Sequence, residues 1–173
     1  TDGTGNNTAT GDYYAIMGVY GGGNEADFIG TESHVNVYGC DNTIDRVFGG
    51  GDEASSNTVY TMIQGGRINQ VYGGGNGYLS EIEVSDITAN IYGSVNLSIH
   101  GGNINQVFGA GNEKGTISGA INLTIDGNGP CGGLDVTELF CGSNLADIGT
   151  AQNPVYLNST IGCNATFGDI YGG

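Results

Sequence analysis

The chain has 173 residues, of which 35 are glycine, 19 asparagine and 2 proline, and no apolar run approaches the ~20 residues of a membrane helix; collagen and a helical span are both excluded. Isoleucine and valine outnumber leucine 27 to 7, which together with the glycine and asparagine argues against a helical bundle and for an all-β protein. Three cations (Arg46, Arg67, Lys114) face 18 carboxylates, a net charge of -15 that excludes nucleic acid and anionic membrane surfaces as partners; it reads as a solvated surface that attracts divalent cations, and no cofactor is expected unless it is calcium.

Residues 1–13 are polar and read as an N-terminal cap. No secretion signal is visible in the sequence, which starts as a mature or trimmed chain would, so this does not argue for the cytoplasm. Residues 14–173 form one repeat domain, expected to be part of a longer protein. Its signature starts as Val19-Tyr20-Gly21-Gly22-Gly23-Asn24 and returns as Val47-Phe48-Gly49-Gly50-Gly51-Asp52. It continues with Val71-Tyr72-Gly73-Gly74-Gly75-Asn76 and Val107-Phe108-Gly109-Ala110-Gly111-Asn112. A worn copy, Leu139-Phe140-Cys141-Gly142-Ser143-Asn144, and the stub Ile170-Tyr171-Gly172-Gly173 complete the series. Successive starts lie 28, 24, 36, 32 and 31 residues apart, as in a true repeat with variable loops.

Three residues before each signature stands another apolar side chain: Ile16, Ile44, Ile68, Ile104, Val136, Phe167. Further upstream, segments such as Val95-Asn96-Leu97-Ser98-Ile99 alternate with period two, so one face is buried and the other wet. A weaker third strand follows the signature, as in Ala26–Thr31 and Ala146–Thr150. The shortest unit, 24 residues, has no room for a helix and is short for a four-stranded propeller blade. The expectation is an all-β, single-stranded parallel β-helix (a β-solenoid) of about five to six coils, with three short strands per coil.

The glycine triplets mark tight stacked corners. Asn24, Asp52, Asn76, Asn112 and Asn144 then form a side-chain ladder from coil to coil, each amide donating to the next coil. A calcium-binding ladder would need nine-residue spacing, which is absent. The column Tyr20, Phe48, Tyr72, Phe108, Phe140, Tyr171 has two readings. It is either an internal aromatic stack or an exposed stripe that binds sugar rings or a protein.

A catalytic site is not expected. His34 and His100 lie in different repeats with no nucleophile tied to either. The enzymatic alternative, a polysaccharide lyase or glycosidase, would draw on Arg46 and Arg67 from neighbouring coils and on Glu81, Glu83 and Asp86 in the long insertion 77–90. Of four cysteines, Cys40, Cys131 and Cys163 share one corner. Cys131 and Cys163 fall in consecutive coils and are the expected disulfide neighbours, while Cys141 replaces a corner glycine.

The Val-Tyr/Phe-Gly-Gly-Gly-Asn signature, followed by Val-Asn-Val/Leu-x-Ile-x-Gly-Gly-x-Ile, resembles the glycine-rich repeats of large secreted surface proteins of gut Bacteroidetes, described as adhesins. The resemblance covers residues 14–173 and transfers no binding residue. It implies an extracellular or outer-surface location and a non-enzymatic adhesive or structural role, with a host or bacterial glycan or protein as partner. End-to-end self-association is expected where a coil is left open.

Overall fold

The computed structural model describes residues 5–6, 13–80 and 85–172. The expected cap over residues 1–13 and the insertion residues Glu81 and Glu83 lie largely outside these. Among the described residues there is no helix. In chain order the strands are β1 (Gly5–Asn6), β2 (Tyr13–Tyr14), β3 (Ile16–Tyr20), β4 (Glu32–Val37) and β5 (Thr43–Phe48). β6 (Thr58–Ile63), β7 (Arg67–Tyr72), β8 (Val95–Ile99), β9 (Gly102–Phe108) and β10 (Thr116–Ile117) follow. The last are β11 (Ile121–Ile125), β12 (Leu134–Phe140), β13 (Asp147–Ile148), β14 (Leu157–Ile161) and β15 (Ala165–Tyr171).

Consecutive long strands alternate between two parallel sheets. One has the order β14-β11-β8-β6-β4, the other β15-β12-β9-β7-β5-β3. β1 and β2 pair antiparallel. Each repeat thus contributes one strand to each sheet. The third segment is reduced from the expected strand to single bridges, Ser56 with Ile91 and Ile91 with Ile117, and the two-residue pair β10–β13.

Register follows the apolar columns. Val37, Ile63, Ile99, Ile125 and Ile161 are successive partners in the first sheet. Ile16, Ile44, Ile68, Ile104, Val136 and Phe167 are successive partners in the second. In this second sheet the pairing skips Asp45, Asn69, Asn105 and Thr137. That interruption has a purpose legible in the spacing. Ile68 and Val71 are three apart, and a regular period-two strand would point them to opposite faces. The local bend lets both turn inward, as a bulge does, and both are 0–1% exposed.

Inward side chains of the two sheets meet in one cluster that includes Val37, Ile63, Ile99, Ile44, Ile68 and Ile104. A second cluster, with Val59, Val95 and Ile121, packs on Ile91 and Ile117 of the third segments. The corners require glycine because carbonyls of the next repeat stand where a side chain would begin. A Cβ on Gly49 would fall 2.2 Å from the Gly73 carbonyl oxygen, and one on Gly73 would fall 2.3 Å from that of Gly109.

Candidate functional site

Beside the second sheet, the aromatic column forms a continuous stack. Neighbouring rings from Tyr20 through Phe48, Tyr72, Phe108 and Phe140 to Tyr171 lie 4.6–4.9 Å apart and 3–6° from parallel. Phe48, Tyr72 and Phe108 are buried, in a cluster separate from the main core, with Tyr20 and Phe140 packed against it. The reading of this column as a ligand-binding stripe is therefore corrected. Its ring faces are covered by each other, and only the end residue Tyr171 is exposed among large side chains of the column. Burial pushes the Tyr72 hydroxyl up to about 12, with Arg46 opposing and Glu113 and Asp45 adding to the shift. Burial also raises that of Tyr20, helped by Asp52.

The Asn/Asp column forms the expected ladder over four of its five members. Asn76 donates to Asp52 at 2.6 Å, Asn112 to Asn76 at 2.6 Å and Asn144 to Asn112 at 3.0 Å. Asn24 is exposed and stands outside this chain of side-chain bonds. Donation runs toward the preceding repeat, the reverse of the expected direction. A second column repeats the pattern, with Asn105 donating to Asn69 and Asn69 to Asp45. A third runs the other way, from Gln70 to Gln106 and from Gln106 to Glu138. Each ends on a carboxylate, which can only accept.

The cysteines pair differently from the expectation. The disulfide joins Cys40 to Cys131, with Cα atoms 5.2 Å apart, and Cys141 (buried) and Cys163 (exposed) are free. The correction has a physical cause in turn length. Residues 64–66 and 100–101 make short turns between the sheets, whereas residues 38–42 and 126–133 make longer ones. The longer turns meet across the short ones. Gly129 donates to the His100 carbonyl at 2.6 Å, and a Cβ on Gly65 would lie 2.3 Å from the Cys131 sulfur. The bond therefore spans repeats that are not consecutive. At the base of the 126–133 turn, His100 Nδ1 lies 3.1 Å from Asp126, and this hydrogen bond holds the Asp126 carboxyl below the usual range.

His34 contacts Glu32 and stacks on Tyr60, and His100 contacts Asp126. Arg46 lies against Asp45, and Arg67 sits over the Tyr14 ring at 4.9 Å. Asp86 of the insertion meets Lys114 at 3.2 Å. Among the described residues no cluster of His, Cys, Asp and Glu is placed to hold a metal ion.

What faces solvent is the outer side of the five-stranded sheet. There the column His34, Tyr60, Asn96, Asn122, Asn158 runs beside Asn36, Met62, Ser98, Thr124, Thr160. Sequence reasoning missed this face because its signal is a change between adjacent repeats, from ring to amide. Compared with known proteins, the chain matches no family model, no curated protein and no solved structure.

Proposed function

We propose that the chain is a non-enzymatic structural and adhesive module, wound as a parallel β-solenoid, that works outside the cell and presents its outer sheet face to a glycan or protein. The observation that carries this reading is where the chemistry-bearing side chains go. Amides, carboxylates and rings are consumed in columns running from repeat to repeat, so they stiffen a rod rather than converge on a reacting centre. Export is supported by the disulfide, since such bonds persist in oxidising compartments. It agrees with the secreted surface proteins whose repeats the sequence resembles.

Winding as a solenoid is supported by the strict alternation of strands between the two parallel sheets and by bridges linking the third segments. End-to-end pairing of two copies, through β14 and β15 of one and β3 and β4 of the other, is the self-association such a rod offers. Sedimentation over a concentration series reads it.

A glycan array combined with a reducing-sugar release assay tests the functional reading. Binding without release of reducing ends is the expected result. Release of reducing ends that persists in a highly purified sample would establish the alternative, a polysaccharide-active enzyme.

A further inference from the structure

The outer column of the five-stranded sheet changes character at one step. His34 and Tyr60, partners in β4 and β6, stack with ring centroids 4.9 Å apart and 9° from parallel. The next partner is Asn96, and from there the column is an amide ladder, Asn158 donating to Asn122 and Asn122 to Asn96. Asn96 in turn donates to the Val59 carbonyl at 3.3 Å, which draws its side chain down onto the sheet. The ring stack therefore stops at Tyr60, a residue 38% exposed. A notch of about 220 Å³ opens beside it, lined by His34, Asn36, Tyr60, Met62, Asn96 and Ser98.

We propose that this notch binds one uncharged pyranose ring of a glycan, stacked on the free face of Tyr60. The proposal rests on the glycan-binding form of the function above. In the inner column each ring from Tyr20 to Phe140 is followed by a ring of the next repeat at 4.6–4.9 Å. At Tyr60 that position is left to a ligand. A pyranose offers a flat apolar face of C–H groups to an aromatic ring and a rim of hydroxyls. The Met62 thioether supplies a soft apolar wall. The Asn36 amide and the Ser98 hydroxyl make no side-chain hydrogen bond among the described residues, leaving donors and acceptors for that rim. The notch is smaller than the roughly 300–1,000 Å³ of pockets that enclose drug-sized ligands, which suits a single ring. The net charge of -15 repels uronic or sialic acids and leaves neutral sugars as the ligand class.

The test uses the whole chain and a panel of methyl glycosides of glucose, galactose, mannose and N-acetylglucosamine, with methyl glucuronide as the anionic comparison. Saturation-transfer NMR and titration calorimetry read binding, and circular dichroism verifies that each variant is folded. At least one neutral glycoside is expected to bind with a Kd on the order of 1 mM, and the glucuronide more weakly. Tyr60→Ala weakens that binding about tenfold, whereas Tyr60→Phe, which keeps the ring, leaves it within about threefold. Tyr156→Ala, an exposed tyrosine elsewhere on the chain, leaves it unchanged. Equal binding by wild type and Tyr60→Ala overturns the notch while leaving glycan binding standing. Binding of no neutral glycoside, with a positive glycan array, overturns it in the same way. A negative array overturns the glycan reading and the notch together.

Discussion

The Asn76 amide donates to the Asp52 carboxylate at 2.6 Å, and that contact sets the direction of a whole column. Asp52 can only accept, so Asn76 must turn its Nδ2 toward it and its Oδ1 toward Asn112. Asn112 donates to that oxygen, and Asn144 donates to Asn112. The same logic holds where Asp45 terminates the Asn69–Asn105 column, and where Glu138 terminates the Gln70–Gln106 column from the opposite end. One carboxylate thus resolves an orientation that a pure amide ladder leaves degenerate.

This polarity gives a graded mutational expectation. Asp52→Asn keeps the shape and removes a charge-assisted bond at one end of the column, and should cost about 1–2 kcal/mol. Asn112→Asp places a carboxylate in the middle, where the residue is 6% exposed and must face the Asn76 oxygen. It should cost more, about 2–5 kcal/mol, because a buried charge meets an acceptor. Urea denaturation of the two variants reads the order, and the reverse order contradicts the ladder.

The apolar columns predict a second contrast. Ile68→Ala removes a side chain 1% exposed between the two sheets and should cost about 2–5 kcal/mol. Asn69→Ala removes two side-chain links, the bond to Asp45 and the one accepted from Asn105, and should cost less, about 1–2 kcal/mol. Equal losses in denaturant would sink the assignment of Ile68 to the core.

These columns were legible in the sequence because every repeat carries an apolar residue at the same step, and five or six copies fix a register that one copy cannot. The three-residue step from Ile68 to Val71 was visible too, although the skipped pairing at Asn69 that permits it was not. The disulfide was misread because residues 126–133 fold back over short neighbouring turns, and turn direction leaves no periodic mark. The amide ladder was legible as a column but not in its direction, which depends on which end holds the carboxylate. The Tyr60 notch was hidden for a related reason: the step from Tyr60 to Asn96 is informative only once the two are known to be partners.

Ionisation of Tyr72 gives a pH expectation. Its folded value is about 12, above the ordinary value of 10.0. Below pH 10 the hydroxyl is neutral in both folded and unfolded chains, and its contribution to stability is fully present. Between about pH 10 and 12 only the unfolded chain ionises, so stability falls, by roughly 2–3 kcal/mol for this group. Urea midpoints measured from pH 9 to 12 should fall more steeply for wild type than for Tyr72→Phe. Parallel curves would contradict the buried hydroxyl.

Gly65 predicts how the turns and the disulfide depend on one another. A Cβ there would stand 2.3 Å from the Cys131 sulfur and 3.3 Å from the Cys40 Cα. Gly65→Ala should therefore hinder oxidation and raise the thiol count of the denatured, unreduced protein from two toward four. At Gly172 nothing lies within 4 Å of an added Cβ, so Gly172→Ala should leave the count at two. No difference between the two variants would show that the bond does not pass over Gly65.

The most direct test of the stacked-repeat architecture is a disulfide map of the native protein, by mass spectrometry of peptides alkylated without reduction. The account predicts one cross-linked species joining the peptides of Cys40 and Cys131, 91 residues apart in sequence, with Cys141 and Cys163 alkylated. Closing a loop of that length should stabilise the fold by up to about 4–5 kcal/mol relative to Cys40→Ser. A Cys131–Cys163 peptide would contradict the account, because it would join Cys131 to the following repeat, against which the 126–133 turn also lies through the bond from Gly127 to the Cys163 carbonyl, instead of to Cys40 across the preceding ones.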